Sequence, residues 1–494
     1  MDGSFMGYFI LTIALLLIIG VLTAKFSNRL GVPALVLFIL VGMLAGSDGL
    51  GIIDFDDFSL ARLIGIIALI VIIFDGGLQT KWNAVKPVMT PTLLLATLGV
   101  ILTAVVVGVG AKFVLDVTWF EGLLFGSIVG STDAAAVFAV LKDKSIKPRL
   151  KTILEAESAS NDPMAMILTI TFIECITAAQ PSYLSVTSSF LWQMIIGLIF
   201  GIIIGKLAIF AINRINLDSS GLYPVFTLAF ALLAYSICDF IGASGLLAVY
   251  VSAILIGNSE LTYHHSIYRF CEGFAWMAQI LMFTILGLLI FPSQVFIPDI
   301  IYKGLLLSII LIIIARPIAV FALTVKCGLN FKEKSFLSWA GLKGAVPIVL
   351  ATFPMAAGLE NSQTFFNIIF FIVLISALVQ GSTISLFSEK LGLTEPKKIV
   401  PMHSLELVSI GKANAEMIEY EVSENIHILD KPLAEIDFPN DVLVNAIIRD
   451  DELITPSGDT KIEAGDILYI LASRKSKKEL FQLLKTDNEA SSFS

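Results

Sequence analysis

The sequence predicts a polytopic all-α membrane protein of about 13 transmembrane helices followed by a small cytoplasmic α+β domain, and three observations predict it. Of the 494 residues, 56% are apolar and 15% charged, where a soluble globular chain has about 45–50% and about 25%. Mean hydropathy is +0.89. Apolar runs of roughly 20 residues, enough to cross about 30 Å of hydrocarbon, recur through the first 390 positions. The charge also divides the chain. Residues 1–400 hold 23 Lys and Arg against 23 Asp and Glu, whereas residues 401–494 hold 9 against 18, so the net charge of −9 resides in the tail. A cytosolic enzyme fits neither the composition nor the runs, no enzymatic activity is expected, and an acidic tail argues against nucleic acid as a partner.

In chain order the expected spans are 7–24, 31–46, 61–79, 90–112, 120–141, 151–174, 190–212, 222–239, 242–257, 270–290, 301–325, 335–356 and 364–388. The first lacks a basic stretch before it and a small-residue cleavage site after it, so it reads as a retained membrane helix. The second and ninth are short, and only Phe240 and Ile241 separate the eighth from the ninth. Span five contains Gly126 and Gly130, and span twelve contains Gly341, Gly344 and Pro347, so both are expected to break in mid-membrane. Lys and Arg collect in alternate loops, for example Lys142, Lys144, Lys147, Arg149 and Lys151, while the loop from Ser47 to Ser59 is acidic. This asymmetry puts the N-terminus outside and the tail in the cytoplasm of a cell that carries the protein in its plasma membrane.

Beyond Pro401 the pattern changes to short alternating segments at 405–410, 417–422, 442–448 and 467–472, with turns at Pro456-Ser457-Gly458-Asp459 and Glu463-Ala464-Gly465-Asp466. Short helices are expected near 431–436 and 475–484. The division read from this is a membrane domain at 1–390, a linker at 391–401, an α+β domain at 402–486 and a flexible end at 487–494. Cys175, Cys238, Cys271 and Cys327 lie far apart, with no pair at metal or redox spacing. They read as inert buried thiols, and no cofactor is expected.

A charge at mid-bilayer costs about 3 kcal/mol on insertion scales, so intramembrane ionisable groups are functional candidates. They are Asp75 in span three, Asp133 in Ser131-Thr132-Asp133 of span five, Glu157 and Asp162 in span six, Arg316 in span eleven and Lys343 in span twelve. Glu157 with Asn161, and Ser158 with Asp162, are i,i+4 pairs on neighbouring helical stripes, so all four can face one cavity together. Interrupted helices in corresponding positions of two halves point to a transporter site. The fifth of spans one to six matches the fifth of spans eight to thirteen, and an offset of seven spans inverts the direction, so the halves read as inverted repeats. Asp133 and Lys343 have the signs to compensate half-helix ends, or they contact the ion directly. Asp162 can hold a proton or a desolvated alkali cation. Thr132, Ser158, Asn161 and backbone carbonyls supply neutral oxygens for the same cation. Glu157 and Arg316 read either as a buried ion pair or as part of the ion path, and Asp75 as an interfacial residue or a site residue.

At Phe74-Asp75-Gly76-Gly77-Leu78, Gly130-Ser131-Thr132-Asp133-Ala134, Glu157-Ser158-Ala159-Ser160-Asn161-Asp162-Pro163, Arg316-Pro317 and Gly341-Leu342-Lys343-Gly344-Ala345-Val346-Pro347 the sequence resembles the NhaP-type monovalent cation:proton antiporters. The resemblance implies the NhaA-like antiporter fold, with a dimerisation domain, a mobile core holding two crossed broken helices, and a homodimer in the lipid bilayer. It implies that Asp162 carries the cation or the proton, and that Thr132, Ser158 and Glu157 line the site. The Asn161-Asp162 pair, where electrogenic relatives carry two Asp, implies electroneutral exchange. Lys343 stands where relatives commonly carry Arg, and Asp75 where many carry Glu, both keeping the charge but changing its reach.

The tail, with Asp437-Phe438-Pro439 and Gly465-Asp466-Ile467-Leu468, resembles the C-terminal subdomain of RCK regulators of potassium transport (TrkA-C-like). This implies a regulatory domain, tilts the cation toward potassium over sodium, and makes a small nucleotide at a dimer of tails a further partner, with Arg449 and Lys461 as the cationic groups at hand. The competing readings are an RCK-regulated potassium channel and a membrane ion sensor that transports nothing. No Thr-Val-Gly-Tyr-Gly filter occurs, and a channel has no need of an exchangeable carboxylate like Asp162.

Overall fold

The computed structural model describes residues 3–396, apart from 31–32, 56, 142–143, 179–182 and 262, and residues 415–484, apart from 423–427, 450–451, 474–475, 477–478 and 481–482. The chain divides into two compact units, Met1–Ile399 and Val400–Ser494.

The first unit is helical. In order it contains α1 (Gly3–Leu30), α2 (Ala34–Ala45), α3 (Phe58–Gln79), α4 (Trp82–Leu115), α5 (Trp119–Ile128), α6 (Ala134–Val140), α7 (Pro148–Thr177) and α8 (Tyr183–Arg214). There follow α9 (Leu222–Phe240), α10 (Gly245–Gly257), α11 (His264–Leu288), α12 (Pro298–Leu323), α13 (Phe331–Trp339), α14 (Ala345–Ala356) and α15 (Ser362–Lys390). Every expected span therefore contains helix. Among the described residues seven helices, α3, α4, α8, α9, α11, α12 and α15, are long and apolar enough to cross a membrane. The helices at α2, α10 and α14 are shorter and apolar. Exposed Leu191, Ile195, Ile199 and Ile203 give α8 an apolar outer stripe, which suits contact with lipid or another apolar surface.

Both spans expected to break do so, at 129–133 between α5 and α6 and at 340–344 between α13 and α14. Two of the residues read as breakers lie elsewhere. Gly126 is helical, and its lack of a side chain serves packing: a Cβ there would lie 2.2 Å from the Ala104 carbonyl oxygen of α4. Pro347 sits in the first turn of α14, where a missing N–H costs nothing. Both first half-helices open on a capping box. Thr118 Oγ1 accepts from the Glu121 N–H at 3.3 Å while Glu121 accepts from the Thr118 N–H at 2.8 Å. Asn330 and Glu333 repeat the exchange at 2.8 and 3.0 Å.

A feature not expected from sequence is a two-stranded antiparallel ribbon of β1 (Lys144–Ile146) and β2 (Thr394–Pro396), with Ser145 opposite Glu395. The Lys147 N–H extends it by bonding the Leu393 carbonyl at 3.3 Å. Lys147 is also the N-cap residue of α7, which begins at Pro148.

The second unit is a four-stranded antiparallel sheet of β3 (Ala415–Glu421), β4 (Val442–Arg449), β5 (Glu452–Ile454) and β6 (Ile467–Ser473), in the order β3-β6-β4-β5. Ile447, Ile462, Leu468, Ile470 and Leu480 are buried in its core. Three of the expected strands are present, β5 was not expected, and the segment 405–410 lies outside the described residues, as does the expected flexible end at 487–494. The helix expected near 431–436 is a single 3-10 turn, Leu433–Glu435. Its N–H groups are taken by the facing loop instead: Leu433 donates to the Thr460 carbonyl at 3.0 Å and Ala434 to the Gly458 carbonyl at 2.9 Å. Of the helix expected at 475–484, Glu479, Leu480 and Leu483 are helical among the described residues.

Candidate functional site

The two breaks meet. The Asp133 N–H, at the end of the first, donates to the Leu342 carbonyl in the second at 2.8 Å. Only glycine fits beside this contact, because a Cβ on Gly344 would lie 2.2 Å from Asp133 Oδ2. Each break frees backbone groups that must find partners where water is scarce, and the polar side chains nearby supply them. Asp133 Oδ1 accepts from the Ala136 N–H at 3.0 Å and so caps α6. The Lys343 ammonium donates to the Ser131 carbonyl at 2.7 Å and to the Gly130 carbonyl at 3.4 Å, beyond the C-terminal end of α5. The Lys343 N–H donates to Ser376 Oγ at 3.0 Å, Ser376 donates to Gln380 Oε1 at 2.6 Å, and the Gln380 amide donates to the Trp339 carbonyl at 2.8 Å. Ser376 and Gln380 belong to a π-helical turn of α15, Ser376–Gly381.

Helix α7 lines the crossing from one side. Ser158 Oγ accepts from the Ala134 N–H at 3.1 Å and donates to the Thr132 carbonyl at 2.9 Å. Asn161 embraces Thr132: its amide donates to Thr132 Oγ1 at 2.7 Å, and its Oδ1 accepts from the Thr132 N–H at 3.3 Å. Pro163, inside α7, has no N–H to give to the Ala159 carbonyl. Beside this patch stands Asp162. Its Oδ1 is buried and meets no hydrogen-bond partner among the described residues, yet the side chain lines a cavity of about 620 Å³ together with Ser131, Thr132, Asp133, Ser158 and Asp75. Burying a polar oxygen without a partner is costly, and a cavity-facing carboxylate in that condition is a place for a proton or a cation.

Behind the cavity wall, Glu157 and Arg316 form an ion pair at 2.6 Å, with their side chains 1% and 4% exposed. Asp75 accepts from the Gln79 amide at 2.8 Å through Oδ2, and its Oδ1 is buried without a partner among the described residues. The structure therefore gathers all nine residues singled out from sequence around one crossing and sorts them. Asp162, Ser158, Thr132, Asp133 and Asp75 line the cavity; Asn161, Glu157, Arg316 and Lys343 stand outside its lining. The stripe containing Glu157 and Asn161 thus faces protein rather than sharing the cavity with Ser158 and Asp162. Ser131, Gln79, Ser376 and Gln380 are not among the residues the sequence singles out. Gln79 and Gln380 each lie four residues from a polar partner on an apolar helix, which is the signal that was available.

Residues 12–390 match the family model described as "Sodium/hydrogen exchanger, transmembrane", and residues 417–485 match the TrkA-C domain. The chain is 40% identical over 487 residues to the "K(+)/H(+) antiporter NhaP2" of Shewanella sp. (strain ANA-3), covering 98% of this chain and 84% of that protein. It is 37% identical to the "K(+)/H(+) antiporter NhaP" of Alkalimonas amylolytica, covering 96% and 83%. The "Na(+)/H(+) antiporter ApNhaP" of Aphanothece halophytica is 27% identical over 73% of this chain and 70% of its own. Among solved structures, the sodium proton antiporter MjNhaP1 from Methanocaldococcus jannaschii at pH 8 superposes with a TM-score of 0.69 at 24% identity, covering 77% of this chain and 98% of that one.

Proposed function

This chain belongs to the sodium/hydrogen exchanger family, and from that premise we propose that its membrane unit exchanges a monovalent cation for protons, with Asp162 as the site the two share. The observation that carries the reading is the Asp162 carboxylate, facing the cavity at the meeting of two interrupted helices with one buried oxygen unpartnered. A cation on a carboxylate lowers its affinity for a proton and a proton removes the charge the cation needs, so competition for one group couples the two fluxes. Ser158 and Thr132 line the same wall and offer neutral oxygens to a cation there. Asn161 is uncharged and tied to Thr132, so the Asn161-Asp162 pair offers one carboxylate where electrogenic relatives offer two, which favours one-for-one electroneutral exchange.

Potassium is the favoured cation. The relatives named for potassium match nearly this whole chain, whereas the relative named for sodium matches 73% of it. In this reading the two halves are inverted repeats, and a mobile core carrying the two broken helices moves, elevator-like, against a dimerisation domain to open the site to either side. The protein is a homodimer in the cell membrane, with its N-terminus outside and residues 402–486 in the cytoplasm as a regulatory domain. A small nucleotide on paired tails belongs to the same reading. Arg449 is held by the Asp466 carboxylate through two bonds of 2.8 Å, which leaves Lys461 as the more available cation for a phosphate.

The test is proton movement in proteoliposomes with a trapped pH dye, on addition of potassium or sodium, with and without a voltage clamp. Wild type moves protons in response to cation, irrespective of voltage, and Asp162→Asn does not. Exchange that survives Asp162→Asn refutes the shared site, and conductance without proton movement favours a channel.

A further inference from the structure

Helix α7 carries a second pair of charges on the stripe that leads to Asp162. Lys151, Glu155, Ser158 and Asp162 are spaced by four, three and four residues, the spacing of one helical face, and all four line the cavity. The eleven helical steps from Lys151 to Asp162 span about 16 Å along the axis, so the stripe runs from the basic end of α7 down to the carboxylate with the unpartnered oxygen. Glu155 and Lys151 form an ion pair at 3.7 Å, with side chains 49% and 55% exposed. The ammonium also lies 5.8 Å from the centre of the Phe138 ring on α6, another cavity-lining residue. Lys81, from the segment after α3, contributes a second positive charge to the same lining.

Resting on the antiport reading above, we propose that Glu155 is the entry station for the cation on its way to Asp162, and that the Lys151 ammonium is a resident counter-ion which an arriving monovalent cation displaces. An exposed ion pair of this kind is worth little, so a cation at cellular concentration competes with the ammonium at little cost. The Phe138 face gives the displaced ammonium a second resting place, since a cation over an aromatic ring is attracted by the ring quadrupole. Without Glu155 the lining loses one of its four carboxylates while Lys151 and Lys81 remain, and a less negative mouth lowers the local concentration of a cationic substrate. The device sets how much cation half-saturates exchange and leaves the turnover of a loaded site alone.

The experiment uses the full chain in proteoliposomes and titrates potassium at fixed pH while proton movement is followed. Glu155→Gln raises the half-saturating potassium concentration by about three- to tenfold with the maximal rate within about twofold of wild type, and Lys151→Gln lowers it. The double variant, with the local charge balance restored, returns close to wild type. All shifts shrink when an impermeant salt raises ionic strength from about 0.02 M to about 0.3 M, because screening shortens the reach of the charges. Unchanged half-saturation in both single variants overturns the proposal, and so does a loss confined to the maximal rate, the mark of a structural pair. Failure of the parent reading looks different: wild type then shows no cation-driven proton movement, or Asp162→Asn retains it.

Discussion

Glu157 and Arg316 carry opposite charges to a depth where neither is more than 4% exposed, and each depends on the other to be there. Removing one partner of such a pair leaves a bare buried charge, which costs about 3–5 kcal/mol, whereas an apolar pair of similar volume is often neutral. Glu157→Ala should therefore lower the thermal midpoint in detergent sharply, and Glu157→Leu combined with Arg316→Met should recover most of the loss. Exchange measured on the recovered double variant decides between the two sequence readings. Retention is expected because neither residue lines the cavity, and abolition in a stable protein places the pair on the ion path. At this scale the site was largely legible, since intramembrane charge is rare enough to announce Asp162, Asp133, Lys343 and Arg316. Which face each side chain takes was not legible. Asn161 and Asp162 are adjacent in sequence, and it is Thr132, through its hydroxyl and the N–H exposed by the break, that consumes one in hydrogen bonding while the other is left facing the cavity.

The two interrupted helices share a plan at the level of elements: a capping box, a half-helix of ten or nine residues, a five-residue break and a second half-helix. Thr118-x-x-Glu121 and Asn330-x-x-Glu333 are readable starts, but where the helix stops depends on Asp133, Leu342 and Ser376 coming together from distant parts of the chain. That is why Gly126 reads as a breaker in the sequence and is helical in the structure. The loops contribute their own fastening. Asp48, between α2 and α3, accepts from the Ser293 backbone N–H at 2.7 Å, and this bond holds its carboxyl below the ordinary value of 3.8. A group depressed in the folded state contributes stability that is present above its unfolded value and is lost as the pH falls through its folded one. Asp48→Asn should accordingly flatten the fall of the thermal midpoint between about pH 5 and pH 3. Parallel curves for the two proteins would show that the bond does not matter to the fold.

On the scale of the whole molecule, hydropathy and charge separated a membrane unit from an acidic tail, and the structure divides into two units at Ile399 and Val400. Every residue of the candidate site lies in the first. A chain ending at residue 400 should therefore keep cation-driven proton movement that depends on Asp162, with any change confined to its regulation; loss of exchange in a correctly inserted truncated protein would make the tail part of the transport machinery. The ribbon of β1 and β2 escaped the sequence because its strands have three residues each and pair across about 250 positions, far beyond any local pattern. Its geometry has a mechanical meaning. Pro396 lies opposite Lys144, and Thr394 opposite Ile146, so tension on the chain beyond Pro396 draws β2 toward one end of the ladder while β1 is anchored to α7 at the other. The backbone bonds are then loaded in shear, all at once, rather than peeled apart singly. A tug on the chain just past the last membrane helix is thus shared between α15, to which β2 is joined, and Lys147, the cap residue that precedes Pro148 at the start of the helix holding Asp162.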